Sequence, residues 1–376
     1  MQQKSINLCM IVKDEAHIIE RCLNSVKPLI DKLLIVDTGS SDDTIQVINN
    51  WMNKEEIGGK VIKEKWQNFA HNRSSALAHA RDLGCDYSLM IDADETLNYN
   101  KKFEAVNFKC SLDKDYYLIP TKSESAFYYR PTLTSNHKDF KYKAPVHEYL
   151  ETPDEALSAN VNHETEFWNT AIQDSARNQD PQKFQKDAKL LEDALKTEED
   201  EFLRARYTFY LAQSYRDSEN PYFALKFYLE RVEMGFWEEE KYISYFKAGQ
   251  LMEQLDYSED SIISTFLMAQ ECNPNRAEAL CSVVRYCRTH GRNHLGYILG
   301  KEGLNKKFNE DFLFAEMWVY DWGMADEFSI AAYWSGHHRE SYEVCRKLLE
   351  NPKVPLDHMP RLNENIGFAK DKLNLK

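Results

Sequence analysis

No stretch of the sequence stays apolar for long enough to cross a bilayer, which takes roughly 20 consecutive residues, so no helical membrane span is expected in the 376 residues. The opening MQQKSINLCMIVKDEAH has one lysine ahead of a mostly apolar run that stops at Lys13. That run is too short and wrongly flanked for a signal peptide. Basic excess is missing as well. With a formal net charge of −14 and no basic block, the chain lacks the lysine and arginine that grip phosphate backbones, and no nucleic-acid partner is expected. The eight cysteines (Cys9, Cys22, Cys85, Cys110, Cys272, Cys281, Cys287, Cys345) include no CxxC pair followed by a second. Reduced thiols and a cytoplasmic location follow as the expectation.

What is present is ample for folding. Hydrophobic residues make up 43% and aromatic residues 12% of the chain, enough for packed cores, and the length exceeds what one core usually supports, so two domains are expected. The first hundred residues alternate between two grammars. INLCMIVK, KLLIVDTG, GKVIKEKW and YSLMID read as strands, while EAHIIERCLNSV, SDDTIQVINNWM and NFAHNRSSALAHARDLG read as helices, the last stopped by Gly84. Such alternation implies βαβ units and a parallel sheet, whose ligands bind beyond the carboxyl ends of the strands. Acids stand at those ends: Asp14 and Glu15 after the first strand, Asp37 after the second, Asp92 and Asp94 after the fourth.

Residues 115–166 alternate aromatic and polar residues as antiparallel strands do. From about residue 185 the pattern is helical. Ala212, Ala248 and Val284 recur at equal intervals of 36 residues, each in a helical segment followed by a turn and an amphipathic segment. A fourth copy, AAYWSGHHRESYEVCRKLL, comes at a longer interval. This periodicity resembles tetratricopeptide repeats.

The stretch SLMIDADETL poses the sharpest chemical question. Asp92, Asp94 and Glu95 place three carboxylates in four positions, a crowding that either faces water or awaits a cation. A divalent ion held through carboxylate oxygens would relieve it. In order, LCMIVKDEAHIIERCLNSV, LLIVDTGSSDDT, NFAHNRSSALAHA and MIDADE resemble the motifs of inverting family 2 glycosyltransferases of GT-A fold, over residues 5 to about 165. The resemblance includes the branch that continues into tetratricopeptide repeats.

It implies an α/β GT-A domain, Rossmann-like with a mostly parallel sheet, over residues 1–175, and an all-α tetratricopeptide-like domain over 176–376. The nucleotide-sugar site would comprise Val12, Asp14, Glu15, Asp37, Thr38, Gly39, Arg73, Asp92 and Ala93, with Asp37 accepting from the base and Arg73 reaching the diphosphate or base. Asp92 and Asp94 match the D-x-D pair that holds Mn²⁺ or Mg²⁺. His163 is the candidate further ligand, with His137 and His147 competing. KAPVHEYL resembles the V-H-E motif of this branch, which leaves either Glu148 or His147 as the base that takes the acceptor proton, Glu148 being preferred on charge. Tyr128, Tyr129, Tyr142 and Tyr149 are expected as sheet core rather than as an acceptor platform.

The activity implied is hexosyl or N-acetylhexosaminyl transfer from a nucleotide-sugar donor, a UDP-sugar first, to a protein, peptide or glycan acceptor held partly by the repeats. A homo-oligomer is left open. The competing reading is a non-catalytic interaction protein with a degenerate transferase domain. A nucleotidyltransferase is disfavoured, because MIVKDEAH is no glycine-rich basic phosphate loop.

Overall fold

The apolar run Ile6–Val12 is strand β1, and its alternate residues serve two different cores. Ile6, Leu8, Met10 and Val12 face one way, onto helices α1 (Ile19–Val26) and α2 (Thr44–Glu55); Cys9 faces the other, onto α3 (Phe69–Arg81). A strand covered on both faces is mostly apolar on both, which is why the sequence shows little alternation here; its polar Asn7 is buried and donates to Ser88 Oγ. This is a computed structural model describing residues 3–123, 127–309 and 311–375. The chain divides into two units, Met1–Leu190 and Leu191–Lys376.

In the first unit, β2 (Lys32–Asp37), β3 (Gly58–Lys63) and β4 (Tyr87–Met90) join β1 in the parallel order β3-β2-β1-β4. The sheet continues through β7 (Phe127–Ser135), β6 (Tyr116–Lys122), β11 (Phe167–Ala171) and β5 (Glu95–Tyr99), where β7 runs antiparallel to both β4 and β6. The short strand β10 (Ser158–Asn160) also pairs with β6, β8 (Lys141–Lys143) and β9 (Tyr149–Glu151) form a separate ribbon, and α4 (Ala105–Ser111) follows β5. The sheet is therefore mixed: parallel over the four strands read from the first hundred residues, antiparallel over much of the segment that alternates.

Register places the motif residues together. Val12 lies opposite Asp37, and Cys9 opposite Met90, so two further residues bring Asp92 to the level of Ile11. The carboxyl ends of β1, β2 and β4 thus finish at one edge, the place where parallel sheets bind ligands.

Beyond α5 (Lys183–Leu195), the second unit is a run of helix pairs: α6 (Glu201–Asp217) with α7 (Pro221–Val232), α8 (Glu238–Gln254) with α9 (Glu259–Cys272), α10 (Glu278–Thr289) with α11 (Asn293–Gly303), and α12 (Met324–Trp334) with α13 (His338–Leu349), closed by α14 (Met359–Leu373). Ala212, Ala248 and Val284 are fully buried in α6, α8 and α10, where only a small or compact side chain lets neighbouring helices approach. The tetratricopeptide-like reading holds. The fourth copy is delayed because residues 304–323 intervene between α11 and α12. Among the described residues no helix is long and apolar enough to cross a membrane.

The first compact unit extends to Leu190. Within it, Asp174, Ala176 and Asn178 hydrogen-bond to Arg21, Glu15 and Asp94.

Candidate functional site

Helix α3 begins at a cap, the Asn68 side chain accepting from the His71 amide at 2.8 Å, a contact that fixes where the helix starts. Arg73, Ala76, Leu77 and Ala80 form one helical stripe, all buried. The last three pack on β1 and β2, so the first of the stripe is carried inward beside the strand ends. There Arg73 is only 7% exposed. Its Nε donates to Glu148 Oε1 and its terminal nitrogen to Asp92 Oδ1, both at 2.6 Å, and the Tyr142 ring lies 5.8 Å away. Burial pushes the Asp92 carboxyl up, but Arg73, and then Arg130, outweigh it and hold Asp92 below the usual carboxylate range.

The acids of the D-x-D segment are thus met by side chains of the protein itself. Arg130 donates to both oxygens of Glu95, at 2.7 and 2.6 Å, and Glu95 in turn accepts from the Asp92 amide at 2.9 Å. Asp94 Oδ2 accepts from Asn178 Nδ2 at 2.9 Å. Two arginines and an amide thus relieve part of the crowding. Arg130 and Asn178 were not candidates in the sequence, because Arg130 lies in an aromatic-polar strand and Asn178 in a stretch with no motif.

Asp37 closes β2 with its side chain 2% exposed. Its Oδ1 accepts from the amides of Gly39 and Ser40, each at 3.1 Å, whereas Oδ2 is buried and has no partner among the described residues. A buried carboxylate oxygen left unpaired costs free energy unless a ligand supplies the donor. Gly39 takes φ = 114°, a conformation that favours glycine, and so lets the chain turn beside Asp37. Thr38 ties this turn to β1, its amide and hydroxyl both donating to the Val12 carbonyl at 2.9 and 3.1 Å. Asp14, at φ = 57°, accepts from the Ser41 amide and hydroxyl.

Val12, Asp14, Glu15, Thr38, Arg73, Asp92, Ala93 and Asp94 line one cleft of about 910 Å³, completed by Ser175–Asn178 and the start of α5. The segment that completes it is pinned at several points. Arg21 donates to both Asp174 oxygens at 2.7 Å, the Ala176 amide reaches Glu15 at 3.3 Å, and Arg177 stacks on Phe69 at 4.6 Å. Glu148 adjoins this cleft through Arg73; His147 is exposed at φ = 53°.

His163 is not brought to the acids. It packs against Phe127 at 5.2 Å, which shares a sheet face with Tyr129, while the intervening Tyr128 and Arg130 face Glu95 and Asp92. Successive strand residues point to opposite faces, so His163 lies on the far side of the sheet. His137 is also elsewhere, 3.7 Å from Asp86. Among the described residues no three His, Cys, Asp or Glu side chains form a metal-holding group. A hard cation still suits Asp92 and Asp94, since Mg²⁺-type ions are commonly held by one or two carboxylates plus substrate phosphates. Tyr128 and Tyr129 are 43% and 37% exposed, not sheet core, because β7 has run past its partner β4 at that point.

Glu15 is the most perturbed acid in the cleft. Burial raises its carboxyl most, the Ala176 amide opposes, and Asp94, Asp92 and Asp42 add to the rise, pushing it up to about 7. A carboxyl raised on folding contributes stability below its ordinary value near 4.5, and that contribution is lost as pH climbs through 7. Glu15→Gln, measured by denaturant unfolding in metal-free buffer, is therefore expected to match the parent near pH 4.5 and to exceed it by at most about 3 kcal/mol at pH 8. An offset that does not change with pH would show that Glu15 is not strained.

The profile of glycosyl transferase family 2 matches residues 8–165. A TPR repeat-containing protein of Synechococcus elongatus is 33% identical over 174 residues, 44% of this chain and 40% of that protein. An uncharacterized glycosyltransferase of Rickettsia felis is 34% identical over 115 residues, 31% of this chain and 38% of that one. The matched stretches thus span well under half of either relative's length. Among solved structures, S. aureus TarS 1-349 in complex with UDP-GlcNAc aligns with 71% of this chain and 90% of its own, at 14% identity and a TM-score of 0.38.

Proposed function

We propose that this chain, whose residues 8–165 match the glycosyl transferase family 2 model, is an inverting transferase that moves a hexosyl or N-acetylhexosaminyl group from a nucleotide sugar, a UDP-sugar first, to a protein, peptide or glycan acceptor in the cytoplasm. The observation that carries this reading is the cleft that collects Thr38, Arg73, Asp92 and Asp94, with the buried, unpaired Asp37 Oδ2 at the position next to Thr38. A uracil ring presents an N–H to such an oxygen. The cleft volume is within the range of small-ligand sites.

In this reading Asp37 holds the base and the Thr38–Gly39 turn gives it room. Arg73 and the acids it bridges hold the diphosphate end in register. Mn²⁺ or Mg²⁺ on Asp92 and Asp94, when bound, neutralises charge on the leaving diphosphate. Inversion requires a single displacement, in which Glu148 takes the acceptor proton as the anomeric carbon is attacked. The repeats supply acceptor contacts.

A thermal-shift panel of UDP-, GDP- and CMP-sugars with and without Mn²⁺ tests the donor. Ligand at a hundredfold over Kd stabilises the folded state by about 2.7 kcal/mol. The UDP-sugar is expected to raise Tm most, and mainly with Mn²⁺, while Asp94→Ala keeps its fold and loses the Mn²⁺-dependent part. Shifts of equal size in Asp94→Ala would remove the metal assignment, and no shift with any nucleotide sugar would remove the donor assignment.

A further inference from the structure

Trp66, on the loop that joins β3 to α3, and Phe69, the first residue of α3, give the cleft an aromatic wall. Their rings meet edge to face at 4.7 Å and 80°, and the Arg177 guanidinium covers Phe69 at 4.6 Å. Phe69 is thereby engaged twice. Among the described residues it is the one ring that touches Trp66, whose indole stays partly exposed.

The loop has no apolar anchor beside Trp66, since Lys65 and Gln67 on either side are both exposed. It is held instead by Asn72, fully buried in the first turn of α3. Asn72 Oδ1 accepts from the Gln67 amide at 2.9 Å and its Nδ2 donates to the Lys65 carbonyl at 3.2 Å, so a single side chain brackets Trp66 from both directions. Asparagine is a poorer helix former than alanine; both of these hydrogen bonds leave the helix for the loop, which is where the residue contributes. The loop also departs from β3 beside Asp37. Lys63 is the register partner of Asp37, and the Glu64 amide donates to the Asp37 carbonyl at 2.9 Å. Trp66 follows two residues later.

Building on the nucleotide-sugar reading of the cleft, we infer that Trp66 stacks on the nucleobase of the donor and that Asn72 is the positioning residue that holds it there. The two contacts divide the recognition of the base. Asp37 Oδ2, buried and unpaired, meets the edge of the ring, which differs from base to base; Trp66 meets the face, which every base presents. Asn72 directly precedes Arg73, so the first turn of α3 sets both the wall for the base and the bridge between Asp92 and Glu148.

Calorimetry on the full chain with UDP in the presence of Mn²⁺ tests the assignment. Trp66→Ala is expected to weaken UDP about tenfold or more, the scale on which a stacked base depends on its aromatic partner. Trp66→Phe keeps a ring and is expected to stay within about threefold of the parent, under one tenfold step of binding energy. Tryptophan emission adds a signature that a merely structural role would not give: UDP quenches the parent, and does so much less in Trp66→Phe, which still binds. Asn72→Ala is expected to match the loss in Trp66→Ala, and the double variant to lose no more than either single one, because the two residues act as a unit. Asn72→Asp, which keeps an acceptor for the Gln67 amide, takes its place should the alanine variant not fold. Unchanged UDP affinity in Trp66→Ala, quenching that survives in Trp66→Phe, or losses that add in the double variant overturn the assignment and leave the donor reading standing. No UDP binding by the parent removes the donor reading, and the role of Trp66 with it.

Discussion

Arg73→Met is expected to destabilise the first unit by about 3–5 kcal/mol at pH 7, the usual cost of removing one partner from a buried ion pair. Arg73 carries two carboxylates at 2.6 Å, and its loss leaves both Glu148, with 15% of its side chain exposed, and Asp92, with 32%, without a cation at that distance. Because Asp92 retains access to water, the lower end of the range is expected. The pH dependence separates this from a loss of packing. Asp92 is held below its ordinary value of 3.8, so the stability it contributes is present above that value and is lost as pH falls through the lower folded-state value. The difference between parent and variant should therefore be full at pH 7 and shrink below about pH 4. Urea unfolding at several pH values measures it. A loss that persists undiminished at pH 3 would mean that the packing of the guanidinium beside Tyr142 matters, not the ion pairs. Arg73→Lys restores a cation without the fork, and should recover only part of the loss.

The four parallel strands, their helices and the stacked helix pairs were legible because each rests on local periodicity. Ile6–Val12 is apolar on both sides except at the buried Asn7, and Ala212, Ala248 and Val284 mark the close approaches of successive helix pairs. Asp37, Arg73, Asp92 and Asp94 were legible for a related reason, since each sits at a strand end or on the stripe of a helix whose register the sequence states. What could not be read are the partners contributed by distant chain. Arg130 reaches Glu95 across 35 positions, and Asn178 reaches Asp94 across 84; neither spacing has a local signature. His163 illustrates the converse failure. Its place after an alternating segment looked suitable for a ligand, but facing is set by strand parity, and Phe127 fixes it to the wrong side.

The same parity governs how the D-x-D acids are handled. Glu95 and Arg130 share the face of the sheet nearest the cleft, so Arg130 can bind Glu95 with both oxygens while Glu95 receives the Asp92 amide. This fixes the backbone at Asp92 from behind. Asp92 is then left with one anchored oxygen, on Arg73, and Asp94 with one, on Asn178. Each carboxylate keeps a second oxygen, the minimum that oxygen ligation of a substrate-bound cation requires.

Glu148→Gln is expected to lower the rate of glycosyl transfer by roughly a hundredfold or more, the scale of a lost general base, with nucleotide-sugar affinity kept within about threefold, under one tenfold step of binding energy. The substitution is chosen for what it preserves. Glu148 Oε1 accepts from Arg73 Nε at 2.6 Å, and a glutamine oxygen can take the same hydrogen bond, so Arg73 stays placed between Asp92 and position 148. What is lost is the negative charge and the ability to take a proton. Glu148 follows His147, which is exposed and at φ = 53°, in the left-handed region that non-glycine residues seldom adopt. Either residue could in principle accept a proton, and their substitution patterns differ. If Glu148 is the base, Glu148→Gln loses kcat while His147→Ala keeps most of it. If His147 is the base, the losses exchange. If Glu148 only positions Arg73, Glu148→Gln retains kcat, because the hydrogen bond survives, and Glu148→Ala loses donor affinity together with rate, because the bond does not. Transfer kinetics with the donor identified by the thermal-shift panel, set beside donor Kd for the three variants, assigns the role.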